Sequence, residues 1–533
     1  MNSEMIIDYQ YCPWQKTAEK PVQIEQGLME ALKPNEKEEG LRSVYLINTR
    51  LWMRDLKDRY GENLTIGQIP ESEWEKTLEN YGTVWLMGIY RPSEKGKDMA
   101  KNHKENYRYA LPNIEEEDIV ASPFAVTDYS PNPELSCGWD EWDKMVNKLN
   151  SMGKKVIIDF VPNHTAVDHR WVWEHPEYYI QVSQEVYESN KGDFYPVVGE
   201  DGKIKYLAHG RDPYCGSWED TLQLNYANPK LQEEMKMILA ELAGHSDGVR
   251  CDMAMLPTPE TFLRTWGWAL TDEEKDFINK NNFWEKSVPA AKEAARLAGK
   301  DEFTVIAEAY WDRQNLEKWF DYIYNGDLYQ HLKQITNGSC SSEGLKLHLK
   351  QILERSEGYR DLIYIENHDE ERAVRGIKKE FSKATATLLA LMDKSLFLVN
   401  QGQEMGFNIR PPMQIGRFPK ENPDRDMTRF YEDLLSLRKS KLFQKGERKM
   451  KETMDPNLVV MEVLGMGFRA EVCVNVGPYE CNHQVERRGE NFWIYNLSTG
   501  EKNSPIDKSI GETIGFRLKP SEVKIIFLGK NIK

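Results

Sequence analysis

Between positions 43 and 400 short apolar runs keep returning, and segments with helical spacing lie between most of them. The runs fall at 43–52 (SVYLINTRLW), 83–90 (TVWLMGIY), 155–161 (KVIIDFV), 247–252 (DGVRCD), 303–307 (FTVIA), 321–324 (DYIY), 362–365 (LIYI) and 395–399 (SLFLV). Runs this short read as strands; 247–252 shows period-two alternation, and 83–90 is apolar enough to be buried on both faces. The intervening stretches 139–152, 229–243 and 288–297 carry helical periodicity, and PESEW at 70–74 places carboxylates in a first turn, where a helix dipole favours them. Strands alternating with helices predict a parallel sheet, and eight such units predict a closed (β/α)8 TIM barrel, whose working face is the rim at the C-terminal strand ends.

Two segments break this rhythm. The stretch 165–224 is too long for a simple strand-to-helix loop and carries Trp171, Trp173, Tyr178, Tyr179, Tyr195 and Trp218, so it reads as a small excursion domain over the mouth. After a helix around 427–439, alternating runs at 457–463, 469–476, 491–495 and 523–528 predict a C-terminal antiparallel β-sandwich. The expected division is therefore an N-terminal extension at 1–40, a barrel at 41–164 and 225–440, an insertion at 165–224 and a sandwich domain at 441–533.

A net charge of −16 argues against nucleic-acid or anionic-membrane partners, which call for a basic face, and suits a neutral substrate. Seven scattered cysteines without C-x-x-C spacing suggest neither a zinc site nor a disulfide framework. With no secretory leader pattern and no long apolar span, the expectation is a cytoplasmic protein, secretion by an unrecognised route being the alternative. No cofactor is expected, and the oligomeric state is left open.

The chemistry gathers where the strands end. Asp252 closes one run, and Arg250, two residues earlier, points to the same side. A guanidinium there favours the ionised carboxylate, as a nucleophile requires, although a structural ion pair is the other reading of the same residues. Strand 155–161 carries Asp159 and leads to Asn163 and His164, strand 303–307 ends in Glu308, and strand 362–365 runs into Glu366, Asn367, His368 and Asp369. Three carboxylates at one mouth, Asp252, Glu308 and Asp369, are the equipment of a glycosidase: a nucleophile, a proton donor and a group that stabilises a positively charged transition state. A lone histidine after a strand is more often a packing residue than a ligand, so His164 and His368 take their weight from these neighbours.

The segments DFVPNH (159–164), GVRCD (248–252), AEAY (307–310) and ENHD (366–369) resemble, in order and spacing, the four sequence regions of the α-amylase superfamily, glycoside hydrolase family 13. SPFAVTDY (122–129), LQLNYANP (222–229) and GQEMG (402–406) agree with it, and the excursion resembles that family's domain B. The resemblance implies a retaining hydrolase of α-glucosidic bonds in maltooligosaccharides or related α-glucans. Asp252 would be the nucleophile, Glu308 the general acid and base, and Asp369 the transition-state stabiliser. Arg250, His164, His368, Phe124, Asp159 and Tyr310 would contact substrate or support these groups.

The sequence also departs from the family. Phe124 stands where many members carry a stacking tyrosine, and Ala125 where an aspartate is common. Many members bind calcium through a residue matching Asn163, but no companion ligands are legible here, so no metal is expected. The shared regions do not separate hydrolysis from transfer to a sugar or phosphate, so a transferase of glucanotransferase, isomerase or phosphorylase type is the alternative. A non-catalytic sugar-binding barrel ranks last, because relatives of that kind lack one or more of the carboxylates present here.

Overall fold

The computed structural model of the chain describes residues 23–35, 43–199, 202–339, 342–354, 360–392, 395–487, 490–503 and 513–529. Of the expected N-terminal extension, 1–22 and 36–40 lie outside the described residues. The helix Gln23–Ala31 presses Leu28 and Ala31 into the main core, and Leu32, directly after it, joins them.

The eight barrel strands are β1 (Ser43–Asn48), β2 (Thr83–Met87), β3 (Lys155–Phe160), β4 (Gly248–Cys251), β5 (Thr304–Ala307), β6 (Tyr322–Tyr324), β7 (Asp361–Ile363) and β8 (Leu396–Asn400). Each pairs in parallel with its sequence neighbours, and β1 pairs with both β2 and β8, which closes the cylinder. The TIM-barrel expectation is thereby met.

Several boundaries differ from the sequence reading. The run 43–52 is not one strand: it changes to helix Thr49–Tyr60, because the Asn48 side chain accepts the Leu51 amide and so caps a new helix. Leu51, Trp52, Met53 and Leu56 are apolar in either geometry, so composition alone does not show the switch. The run 83–90 breaks at Gly88, whose φ of +79° suits glycine, and Tyr90–Pro92 joins Val126–Pro131 in a separate ribbon. Pairing of β7 stops at Ile363, so Asp369 sits on the loop beyond the strand, not at its end.

The excursion begins and ends on itself. His164–Ala166 pairs with Thr221–Gln223 in antiparallel fashion, with His164 opposite Gln223, and a three-stranded sheet of Gln181–Val182, Ile204–Ala208 and Phe194–Val198 lies between them. This closure anchors the segment at the exit of β3.

C-terminal strands β9 (Glu447–Lys451), β10 (Leu458–Gly465), β11 (Phe468–Asn475), β12 (Cys481–Glu486), β13 (Asn491–Asn496), β14 (Glu501–Asn503), β15 (Thr513–Leu518) and β16 (Val523–Gly529) form two antiparallel sheets, β9-β10-β11-β16-β13-β14 and β12-β15. Period-two geometry divides the side chains of β10 and β16 between two cores. Leu458, Val460, Ile526 and Leu528 face the core within the sandwich, while Val459, Met461, Ile525 and Phe527 face the core shared with the barrel. Such two-sided burial welds the sandwich to the barrel.

Candidate active site

Register sets the site. On β4, Arg250 lies opposite Asp159 of β3 and Ile306 of β5, so its side chain shares a level of the barrel with Asp159. One residue beyond β4 and β5, Asp252 and Glu308 follow directly. Backbone bonds continue the sheet past these ends, with the Asp252 amide on Phe160 O and the Glu308 amide on Cys251 O.

The Arg250 guanidinium is the hub. Its Nη1 donates to Asp252 Oδ1 at 2.7 Å and its Nη2 to Glu308 Oε2 at 2.6 Å, while Asp159 Oδ1 lies 3.4 Å from Nη1. The residue is fully buried, at 0% exposure, and Cζ lies 5.1 Å from the centre of the Trp85 ring, 5.2 Å from Phe124 and 5.9 Å from Tyr324. A planar cation among aromatic faces is favourable and sterically held. Glu308 is fixed further by the Met253 amide on Oε2 and the Tyr310 hydroxyl on Oε1, each at 2.9 Å. Met253 makes its contact from the left-handed region, φ +43°, an uncommon conformation for a residue with a side chain.

Asp369 approaches from the loop after β7. Its Oδ2 lies 3.0 Å from His368 Nε2, and its side chain remains 47% exposed. Arg410, from the loop after β8, donates to its main-chain oxygen. His368 stacks on Phe124 at 5.4 Å and meets Trp85 edge-on at 5.3 Å.

Burial pushes the carboxyls of Asp252 and Glu308 up; Arg250 pulls both down, and the other carboxylates around them push up again. Asp159 is also raised, chiefly by burial. At Asp369 desolvation is outweighed by His368, Arg250 and Arg410, which hold it at about 2. The sequence reading had Arg250 keep Asp252 ionised. The guanidinium does touch Asp252 but is shared with Glu308 and Asp159, and the net direction for Asp252 is upward. Burial and the neighbouring carboxylates outweigh the one buried cation at both Asp252 and Glu308, so each is shifted toward its protonated form, the direction a proton donor needs.

The other residues singled out from sequence fall in two groups. Phe124, Asp159, His368 and Tyr310 all touch the hub or its carboxylates. His164 sits toward the excursion: its ring lies 5.2 Å from Trp218, Asn163 Nδ2 is 3.3 Å from its Nδ1, and burial lowers it to about 4, so it is neutral. Trp85 and Tyr324 were missed. Both are mid-strand or strand-end aromatics that read as core, and only closure of the barrel shows them against Arg250.

A calcium ion at Asn163 would need its side-chain oxygen. That atom already accepts from Gln223 Nε2 at 3.0 Å, and the same amide nitrogen bonds Asn163 O at 3.0 Å. Among the described residues, the cluster of three ligand-type groups within reach of one another is Glu471, Cys473 and His483, far off in the sandwich domain.

Residues 124–455 match the family model described as Alpha amylase, catalytic domain. The chain belongs to the α-amylase family. Maltase A1 of Drosophila melanogaster is 28% identical over 148 residues, which is 23% of this chain and 24% of that protein. A 4-alpha-glucanotransferase of Thermotoga neapolitana is 29% identical over 195 residues, 32% of this chain and 41% of that protein. These matches thus span less than half of the curated relatives' length. Among solved structures, an α-amylase from Lactobacillus plantarum superposes with a TM-score of 0.64 at 17% identity, covering 91% of this chain and 98% of the other, a likeness of fold. Among the described residues, no helix is long and apolar enough to cross a membrane.

Proposed function

We propose that this α-amylase family enzyme hydrolyses α-glucosidic bonds of maltooligosaccharides or related α-glucans with retention of configuration, through a covalent intermediate on Asp252. The observation that carries the reading is the shared grip of Arg250 on Asp252 and Glu308, which holds two carboxyl groups side by side, as a nucleophile and a proton donor need. Retention requires carboxyl groups about 5–5.5 Å apart, closer than the inverting arrangement that leaves room for water.

In the first step Asp252 attacks the anomeric carbon while Glu308 gives its proton to the departing oxygen. Arg250 stabilises whichever carboxyl of the pair is ionised, so the proton passes without stranding a buried charge. Asp369, ionised at all ordinary pH values, faces the mouth where sugar hydroxyls and developing positive charge would lie. In the second step Glu308, now ionised, takes a proton from water, which displaces Asp252. His368 and Phe124 would bound the same sugar, one offering ring nitrogens and the other an apolar face.

Transfer to a second sugar uses the same first step, and the match to a glucanotransferase segment favours keeping it as the second reading. Incubation with maltotriose, with and without added glucose, separates the two: hydrolysis releases reducing ends in proportion to bonds cut, transfer does not. Asp252→Asn is expected to abolish either reaction, and undiminished turnover in that variant would overturn the proposal.

A further inference from the structure

Away from the barrel mouth, three groups of the kind that bind transition metals meet inside the sandwich domain. Glu471 and Cys473, two residues apart on β11, point to the same face of the larger sheet, and both are fully buried. His483 reaches them from β12, in the other sheet, with 10% of its side chain exposed. Its Nε2 lies 2.9 Å from Glu471 Oε2, and one carboxylate oxygen, one ring nitrogen and the Cys473 sulfur all fall within 4.8 Å of one another. Phe516 meets the imidazole edge-on at 5.4 Å and limits its rotation.

The neighbours hold these groups in place. Glu471 Oε1 accepts Lys451 Nζ at 2.7 Å and Arg469 Nη1 at 2.8 Å, which leaves Oε2 turned toward His483. Outer bonds of this kind orient the ligands of a metal. Arg469 also bonds Glu490 at 2.9 Å and has Glu462 at 4.0 Å, so three carboxylates face two cations. The Cys473 thiol has only a long contact, 3.8 Å to the main-chain oxygen of Glu471. A divalent ion that binds it as thiolate, the thiol proton leaving to solvent, adds two positive charges and one negative, which cancels the surplus. Sulfur, imidazole nitrogen and carboxylate oxygen together suit zinc, whereas calcium and magnesium take oxygen ligands. Zinc holds sulfur at about 2.3 Å and nitrogen or oxygen at about 2.0–2.2 Å, so atoms bound to one ion stand roughly 3.3–3.6 Å apart. The His483–Glu471 pair opens slightly and the sulfur closes by roughly an ångström to reach that spacing.

We propose that Glu471, Cys473 and His483 bind a zinc ion, water completing the tetrahedron, and that the ion pins the two sheets of the sandwich together. The ion enters past His483 and Lys451, whose side chains reach the surface. It takes no part in the sugar chemistry.

The test uses the full chain, stripped with EDTA and dialysed free of it, then titrated with Zn2+ by calorimetry and with Co2+ by absorbance, for wild type, Cys473→Ser and His483→Gln. Wild type should take up one ion per chain, and cobalt should develop the strong near-ultraviolet charge-transfer absorption of a thiolate ligand. Cys473→Ser should lose that absorption, and both variants should lose at least about tenfold in zinc affinity. Zinc should also raise the melting temperature of wild type more than that of either variant. No uptake by wild type, wild-type affinity in His483→Gln, or an unchanged thiolate absorption in Cys473→Ser, as binding at the exposed Cys137 or Cys215 would give, overturns the site. Should Cys473→Ser not fold, His483→Gln, altered at the edge of the cluster, decides the matter. None of these readouts involves glucan cleavage, so the zinc site and the proposed function stand or fall separately.

Discussion

Replacing Arg250 by leucine removes the single cation on which the site's acids converge. Its two short bonds, at 2.7 and 2.6 Å, are charge-assisted, and each such bond contributes about 1.5–3 kcal/mol. Leucine regains some packing against Trp85 and Phe124, so the net loss at pH 7.5 is set at ~3–5 kcal/mol, the usual cost of stranding a buried partner. The pH dependence has a definite sign. Burial already raises Asp252 and Glu308 above their unfolded values, and losing Arg250 raises them further. The folded variant then binds more protons than the unfolded chain up to that higher value, so it gains stability relative to wild type as pH falls. Urea midpoints measured at pH 7.5 and 5.5 read this directly. The expected result is a large gap at pH 7.5 that narrows at pH 5.5. A gap below about 1 kcal/mol at pH 7.5, or one that widens on acidification, would refute the assignment of Arg250 as the counter-ion of the pair.

Three further outcomes follow from the same geometry. Tyr310→Phe removes a donor from Glu308 that favours its ionised form, so Glu308 should stay protonated to higher pH and the alkaline limb of the pH–rate profile should move up by roughly one unit; a downward shift contradicts this. Gly248→Ala would place a Cβ 2.4 Å from Thr304 O, a backbone atom that cannot swing aside, and should cost about 1–3 kcal/mol or more in thermal or urea unfolding, whereas a neutral result would mean that β4 and β5 are not paired as described. Calcium added to the EDTA-stripped chain should leave the melting temperature unchanged, since Asn163 Oδ1 already accepts from Gln223, and a rise would reverse that reading.

Much of this architecture can be read from the primary structure because the barrel strands are short, apolar and evenly interleaved with helices. Asp252 and Glu308 stand out for the same reason: each interrupts an apolar run where a strand must stop. What escapes is whatever depends on one residue's choice between two geometries, or on closure. Asn48 turns half of an expected strand into a helix through a single capping bond. The edge strand β9 (ERKMK) carries no alternation because much of it faces solvent, and β12 (CNHQVE) is mostly polar for a similar reason. Trp85, a residue from the middle of β2, becomes part of the site only when β2 and β4 curve round the same axis. Sharing of Arg250 among Asp252, Glu308 and Asp159, and the upward direction for Asp252, needs the distances between side chains carried by three different strands.

The central claim is that Asp252 becomes covalently bonded to the glycone. A slow-turnover fluorinated α-glucosyl fluoride, incubated with the wild-type enzyme and followed by peptide mass spectrometry, addresses it directly. The account predicts the mass of one fluoroglycosyl unit on the peptide containing Asp252, and its absence in Asp252→Asn. Label on a peptide carrying Glu308 or Asp369 instead, or turnover of the compound with inversion and no labelled peptide at all, would contradict it.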